Sequence, residues 1–193
     1  MMTASKILAF AGSARKDSFN KKLVKIAAEG ARVAGAAVTY LDFRDLPLPL
    51  YDEDLEAAQG LPENVRQLKA LMKLHQGFLI ACPEYNSSIT PLLKNAIDWA
   101  SRPEPGEPSL SCFKDKVAVL MSSSPGALGG LRGLVHVRSI LGNIGVIVLP
   151  DQRAIGNSHQ AFDANGNLKD ASQQASIMQL GSKLATVTTQ LNR

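Results

Sequence analysis

The sequence predicts a three-layer α/β fold, with a five-stranded parallel sheet in the order 2-1-3-4-5 and helices on both of its faces. Two observations carry this. Short apolar runs at residues 7–10, 38–41, 78–82, 117–121 and 146–149 read as strands covered on both sides rather than as strands with one wet face. Helix-length stretches separate them, which gives β-α repeated five times and hence a parallel sheet with crossover helices. In a doubly wound sheet of this order the winding reverses between strands 1 and 3, and ligands bind beside the loops that follow those two strands.

Each element has its own signature. The first run, Ile7-Leu8-Ala9-Phe10, leads to a helix over residues 18–34, where Phe19, Leu23, Ile26, Ala27 and Val33 approximate one face and Lys21, Lys22, Lys25 and Glu29 occupy the others. After the second run, Leu46-Pro47-Leu48-Pro49-Leu50-Tyr51-Asp52 resists regular assignment, because proline removes a backbone donor and restricts the residue before it. Pro62 opens a second helix through Val65, Leu68, Leu71 and Met72, at a position where a first turn tolerates proline. Thr90-Pro91 opens a third, running to Trp99. A second proline-rich stretch, Arg102-Pro103-Glu104-Pro105-Gly106-Glu107-Pro108, is expected, like the first, to be a surface excursion near the ligand edge. The fourth helix spans 129–141 and the fifth 171–191. No internal repeat or second domain is visible, so residues 1–193 are expected to form one domain.

Composition narrows the function classes. The chain has 21 Lys and Arg against 17 Asp and Glu, a net charge of +4, and its basic residues are scattered rather than gathered into a run. That favours general attraction to anions over dedicated nucleic-acid binding. No stretch approaches the ~18 apolar residues of a membrane span, and the opening Met1-Met2-Thr3-Ala4-Ser5-Lys6 does not read as a leader, so a cytoplasmic location is expected. Cys82 and Cys112 are too few and too far apart for a disulfide framework or a zinc knuckle and are read as reduced, structural thiols. His75, His136 and His159 form no metal-binding cluster and are read as structural or solvent-facing, so no metal is expected.

Three loops could carry chemistry. In Gly12-Ser13-Ala14-Arg15-Lys16-Asp17-Ser18-Phe19-Asn20, side chains of Ser13, Ser18 and Asn20, the fork of Arg15 and the open N–H groups of the next helix suit a phosphate monoester. The plainer alternative makes Ser18 only a helix cap and Arg15 a solvated residue. The loop has neither Gly-x-x-x-x-Gly-Lys nor Gly-x-Gly-x-x-Gly, which disfavours ATP and a Rossmann dinucleotide site. Pro83-Glu84-Tyr85-Asn86-Ser87-Ser88, after the third strand, offers a rigid backbone, an aromatic face and polar groups for the edge of a flat heterocycle. Its plainer alternative is a tight turn with Tyr85 packed on Trp99. Lys94 and Asp98 are assigned to local polar bonding, Ile97 and Trp99 to packing. The third loop, Ser122-Ser123-Ser124-Pro125-Gly126-Ala127-Leu128-Gly129-Gly130, lets backbone approach a bound ring closely.

Together, Gly12-Ser13-x-Arg15-x-x-Ser18-x-Asn20, Pro83-Glu84-Tyr85-Asn86 and Leu93-Lys94-Asn95-Ala96-Ile97-Asp98-Trp99 resemble the NAD(P)H-dependent FMN reductases of flavodoxin-like fold, in particular the branch of bacterial quinone, chromate and azo-dye reductases. The likeness runs from the first strand to about Gly145. It implies non-covalent FMN, with the phosphate at Ser13, Arg15, Ser18 and Asn20 and with Phe19 as a further cofactor-binding residue. The ring would lie against Pro83, Glu84, Tyr85 and Asn86, with Ser122 and Ser123 approaching from the third loop. NADPH or NADH would deliver hydride to flavin N5, and a quinone, azo compound or chromate would then take its place, a ping-pong scheme that needs no catalytic side chain. The resemblance also implies a homodimer or homotetramer, with Gly129-Gly130-x-Arg132 and residues 136–138 in a contact region. Ser87, small where some relatives are bulky, bears on substrate preference. Charge alone adds Arg15, Lys16 and Arg102 as attractors for the nicotinamide cofactor's phosphates. The rival reading is a flavodoxin-like electron carrier or flavin-binding regulator without turnover, against which stand the mildly basic composition and Arg15. A serine hydrolase lacks its Gly-x-Ser-x-Gly elbow.

Overall fold

The computed structural model describes residues 4–191. Strands β1 (Lys6–Ala11), β2 (Ala37–Leu41) and β3 (Gly77–Ala81) are followed by a small hairpin of β4 (Glu84–Tyr85) and β5 (Ser88–Ile89), then by β6 (Val117–Ser123) and β7 (Ile147–Ile155). The main sheet is parallel throughout and runs β2-β1-β3-β6-β7, which is the expected order 2-1-3-4-5. Successive residues of a strand face opposite sides, and the core divides accordingly. Ile7, Ala9, Leu79 and Val119 meet α1 (Phe19–Val33) and α7 (Ala171–Leu191), while Leu8, Phe10, Phe78, Ile80 and Leu120 meet α3 (Glu63–Leu74), α4 (Pro91–Ser101) and α5 (Leu131–Asn143). Helices α1 and α7 cross in backbone contact. A Cβ on Gly30 would lie 2.0 Å from the Met178 carbonyl oxygen, and one on Gly181 would lie 1.8 Å from that of Ala27.

Several elements depart from the expected β-α repeat. A short helix, α2 (Glu53–Gln59), follows the first proline-rich stretch; Asp52 caps it by accepting from the N–H groups of Asp54 and Leu55. None of its residues is buried, so it has no apolar period to read. β7 continues to Ile155 rather than ending at 149. Pro150 looks like a stop, but the ladder skips from Ala118↔Val148 to Leu120↔Gln152, so a bulge on this edge strand absorbs the proline. A further short turn of helix, α6 (Ser158–Ala161), follows it. Helix α5 starts two residues later than expected because Gly129 and Gly130 take positive φ, 64° and 89°.

The two proline-rich stretches behave differently. The first is tied along α4: Asn95 accepts from the Tyr51 N–H (2.8 Å) and donates to the Pro49 carbonyl (2.9 Å), to which Trp99 Nε1 also donates (2.8 Å). Tyr51, not Tyr85, sets its ring edge-on against Trp99, 4.9 Å between centroids. The second stretch lies away from the ligand edge, which corrects the expectation, because α4 carries the chain back along the sheet before residue 102 is reached. Glu107 fastens it there by pairing with Lys73 (2.8 Å) and with the fully buried Lys69. Burial opposes the Glu107 charge, but the bonds from Lys69 and Lys73 hold its carboxyl well below the usual range. Cys82 and Cys112 are both buried and unpaired with each other, and burial pushes both thiols up. Among the described residues no helix is long and apolar enough to cross a membrane, and no cluster of side chains suits a metal.

Candidate active site

At the carboxyl edge of β1, β3 and β6 three loops enclose a cleft of about 230 Å³. Its first wall is the segment between β1 and α1. Gly12 is fixed from both sides: its N–H donates to the Ala81 carbonyl (2.9 Å), and its own carbonyl accepts from Thr90 Oγ1 (2.7 Å). Thr90 also caps α4 by accepting from the Leu93 N–H (3.2 Å), so the first and second loops share one pin. Ser13 Oγ accepts from the Arg15 N–H (3.3 Å) and lines the cleft. Ser18 occupies the N-cap position of α1 in extended conformation, yet its hydroxyl caps no backbone group. A helix start whose N–H groups are not capped by the residue placed to do so is a ready site for an anion.

The aromatic side of this wall is Phe19. Its ring stacks on Phe162 (5.6 Å), meets His159 edge-on (5.1 Å), and has the Arg15 guanidinium 5.4 Å from its centre. Asn20 serves a different purpose from the one its type suggests. Its Nδ2 donates to the Ser123 carbonyl (2.8 Å) and its Oδ1 accepts from the Ser123 N–H (3.0 Å), so this buried amide clasps the start of α1 to the end of β6.

The second wall is Pro83 and the β4–β5 hairpin. Asn86 and Ser87, with φ of 50° and 66°, are the two central residues of a tight hairpin turn, a conformation that asparagine tolerates well. Tyr85 is 57% exposed beside the cleft. The hairpin is held to α5 by Glu84, whose Oε1 accepts from Arg132 Nε (2.9 Å) and Nη2 (2.6 Å) and whose Oε2 accepts from the Gly133 N–H (3.1 Å). Burial would raise the Glu84 carboxyl, but these bonds and the start of α5 bring it below the usual range. Ser88 Oγ and His136 Nδ1 add a further bond of 2.9 Å across the same seam.

The third wall is Ser123, Ser124 and Pro125, steadied by Ser123 Oγ donating to the Ile155 carbonyl (3.0 Å) and lying 3.1 Å from Ser158 Oγ. Of the residues singled out from sequence, Ser13, Arg15, Ser18, Phe19, Asn20, Pro83, Glu84, Tyr85 and Ser123 line this one cleft. Asn86 and Ser87 sit at the hairpin tip and do not. Ser122 is fully buried behind the wall, with no hydrogen-bond partner for its hydroxyl. Arg102 is not brought to the cleft: it ends α4, pairs with Glu56 (Nε to Oε2 2.8 Å) and lies over the Tyr51 ring. Ser124 and Pro125 of the third candidate loop also line the cleft, as does His159, which the sequence marks as structural or solvent-facing. His159 reaches it only through the extension of β7 past Pro150, for which no periodicity gave a signal.

A sequence model described as NADPH-dependent FMN reductase matches residues 5–160. The chain belongs to that family. It is 35% identical over 175 residues to an NAD(P)H-dependent FMN reductase of Pseudomonas aeruginosa, an alignment that covers 90% of each. It is 35% identical over 167 residues to a 2-hydroxy-1,4-benzoquinone reductase of a Burkholderia species, covering 86% of each. Among solved structures it resembles FerB, a flavoenzyme NAD(P)H:(acceptor) oxidoreductase of Paracoccus denitrificans, with a TM-score of 0.79 and 28% identity over 96% of this chain and 98% of that one. This FMN reductase family member is therefore an oxidoreductase of flavodoxin-like fold that uses FMN and NAD(P)H. The donor set fits the cofactor. Ser13, Ser18, Arg15 and the open turn of α1 suit a phosphate, and Pro83, Tyr85 and Pro125 present flat surfaces for a ring system.

Proposed function

We propose that this FMN reductase catalyses two-electron reduction of quinones by NAD(P)H in a ping-pong scheme, with azo compounds and chromate as further acceptors to be tested. The observation that carries the reading is the meeting of an uncapped α1 start with Pro83 and Tyr85 across one cleft at the sheet's switch point. Bound FMN supplies the redox chemistry, taking hydride from the nicotinamide and passing two electrons to the acceptor. The chain contributes binding and exclusion. Ser13, Ser18 and Arg15 hold the phosphate, the Asn20 clasp keeps the first and third walls in register, and the Glu84 clamp seats the hairpin. Arg15 and Lys16, both exposed beside the cleft, supply the positive field that draws an anionic nicotinamide cofactor, a role that Arg102 cannot share while it is paired with Glu56. With FMN bound in this cleft, donor and acceptor would have to use the same open side of it, which is the condition for alternation.

Self-association accompanies this reading. Leu128, Leu131 and Val135 are 53%, 43% and 60% exposed around the start of α5, next to the hairpin that bounds the cleft. A dimer or tetramer that covers them would also steady the site.

Purified protein tests the proposal directly. It should be yellow, oxidise NADPH or NADH with a quinone as acceptor, and give parallel lines in double-reciprocal plots. Intersecting lines would refute alternation at one site. A colourless protein that gains no thermal stability from added FMN would overturn the functional reading, and free FMN as the best acceptor would replace quinone reduction with flavin supply. Light scattering at several concentrations reports the assembly.

A further inference from the structure

A second cavity is larger than the proposed FMN cleft. It is a groove of about 410 Å³ beside α1, sharing only Ser18 with that cleft. Four lysines line it: Lys16, Lys21, Lys22 and Lys25. Lys21 is consumed by an internal pair with Asp42 (2.6 Å), which removes one cation and one anion together. Glu29, at the far end, leans on Arg32 (3.5 Å). What remains is Lys16, Lys22 and Lys25 against Asp17 and the exposed Glu29, with no ion pair to a carboxylate for any of the three among the described residues.

Two of these cations, Lys22 and Lys25, are held in place by rings. The Lys22 ammonium lies 5.6 Å from the centre of Phe19 and 5.9 Å from that of Phe162, and the Lys25 ammonium lies 5.0 Å from the centre of Tyr40. A ring face attracts a cation without neutralising it, so the charge stays available while the flexible stem loses freedom in advance. Lys22 and Lys25 are three apart on one helix and so share a face. Opposite them the 164–167 turn and α7 present the amides of Asn165, Asn167 and Gln174. Gln174 Oε1 accepts from the Leu168 N–H, which turns its NH₂ group to other acceptors.

We propose that this groove is a second anion site, separate from the FMN cleft, which takes a di- or triphosphate group. Three unneutralised ammonium groups and an amide wall match a ligand with several charged oxygens better than a single carboxylate, which Lys16, Lys22 and Lys25 would over-complement.

The test uses the full chain saturated with FMN, so that the first site is filled. Calorimetric titration with inorganic tripolyphosphate and pyrophosphate is run against chloride and orthophosphate at matched ionic strength. Saturable single-site binding of the polyphosphates is expected, and it should weaken about tenfold in the Lys22→Gln/Lys25→Gln double variant, with FMN content and quinone turnover unchanged. Lys16→Gln, in an exposed loop, gives a smaller loss and serves should the double variant fold poorly. Absence of saturable heat at matched ionic strength would overturn the proposal, as would affinity equal in all three proteins. So would a loss no larger in these variants than in Arg15→Gln, since binding would then belong to the rim of the FMN cleft.

Discussion

Replacing Asn20 by alanine separates two roles that the sequence alone leaves merged. If Asn20 were chiefly a phosphate donor, Asn20→Ala would weaken FMN binding and leave the apoprotein intact. The structure spends both ends of its amide on Ser123, at 2.8 and 3.0 Å, in a site where Asn20 is only 4% exposed and Ser123 3%. The variant therefore removes two buried bonds and strands the Ser123 N–H and carbonyl. With about 1 kcal/mol for each net bond and a desolvation penalty of about 1 kcal/mol or more for the stranded groups, the loss is roughly 3 kcal/mol. For a chain of this size that lowers Tm by roughly 6–12 °C. Urea denaturation and calorimetry of the FMN-free protein measure it. FMN affinity should fall as well, because the first and third walls lose their tie. An apoprotein within about 0.5 kcal/mol of wild type, an ordinary surface effect, would refute the clasp and return Asn20 to the phosphate.

Other perturbations probe the remaining contacts. Glu84→Gln keeps an acceptor for the Gly133 N–H but loses the charge facing the half-exposed Arg132, so it should cost about 1 kcal/mol or less in stability. FMN affinity should nonetheless drop severalfold by fluorescence titration, and an unchanged Kd would mean that the clamp does not seat the hairpin. Gly133→Val places a Cβ 3.3 Å from the Ser88 carbonyl oxygen with further methyls beyond it, so flavin should be lost while the far-ultraviolet dichroism is retained; full flavin occupancy would contradict the packing. His75 is buried, its Nδ1 donating to the Leu71 carbonyl (2.6 Å) and its Nε2 accepting from Thr39 Oγ1 (2.8 Å), and burial and nearby Lys6 and Lys116 push its pKa down. A depressed histidine pKa stabilises the fold above the ordinary value of about 6.5 and loses that contribution as pH falls through the folded value. Stability should therefore decline below about pH 6.5 more steeply than in His75→Gln, and parallel pH profiles would refute it. Arg102→Ala should leave the KM for NADPH unchanged while lowering Tm, since the side chain serves Glu56 and Tyr51; a raised KM would restore its proposed cofactor role.

What was legible in the sequence follows from burial. β1, β3 and β6 are buried along almost their whole length, and continuous apolar runs announce such strands; the order of the sheet follows from their number and spacing. α2 fully buries none of its residues, β7 hides its continuation behind Pro150, and the hairpin is two residues per strand, too short for any period. The second proline-rich stretch illustrates a different limit. Its irregularity was readable from its prolines, but its location depends on the length of α4, and its pairs with Arg66, Lys69 and Lys73 of α3 show where it is fastened. Likewise Tyr51 and Tyr85 are equally plausible partners for Trp99 until the path of residues 46–52 is known.

The same logic divides the polar side chains of the cleft between those that hold its walls together and those that face into it. Loops at a switch point must be held against one another before they can hold a ligand, and polar side chains are what a loop has for this purpose. Thr90 ties Gly12 to the start of α4, Asn20 ties α1 to β6, and Glu84 ties the hairpin to α5. Asn20 and Glu84 look like ligand donors in sequence and Thr90 like a helix start, and all three are committed within the protein. The groups that the proposed function assigns to phosphate lack their expected internal partner: the Ser18 hydroxyl sits at an N-cap without capping, and the Arg15 guanidinium rests on Phe19 rather than on a carboxylate. The preorganisation that a cofactor site requires is thus supplied by one set of polar residues, and recognition by another set that the first leaves unsatisfied.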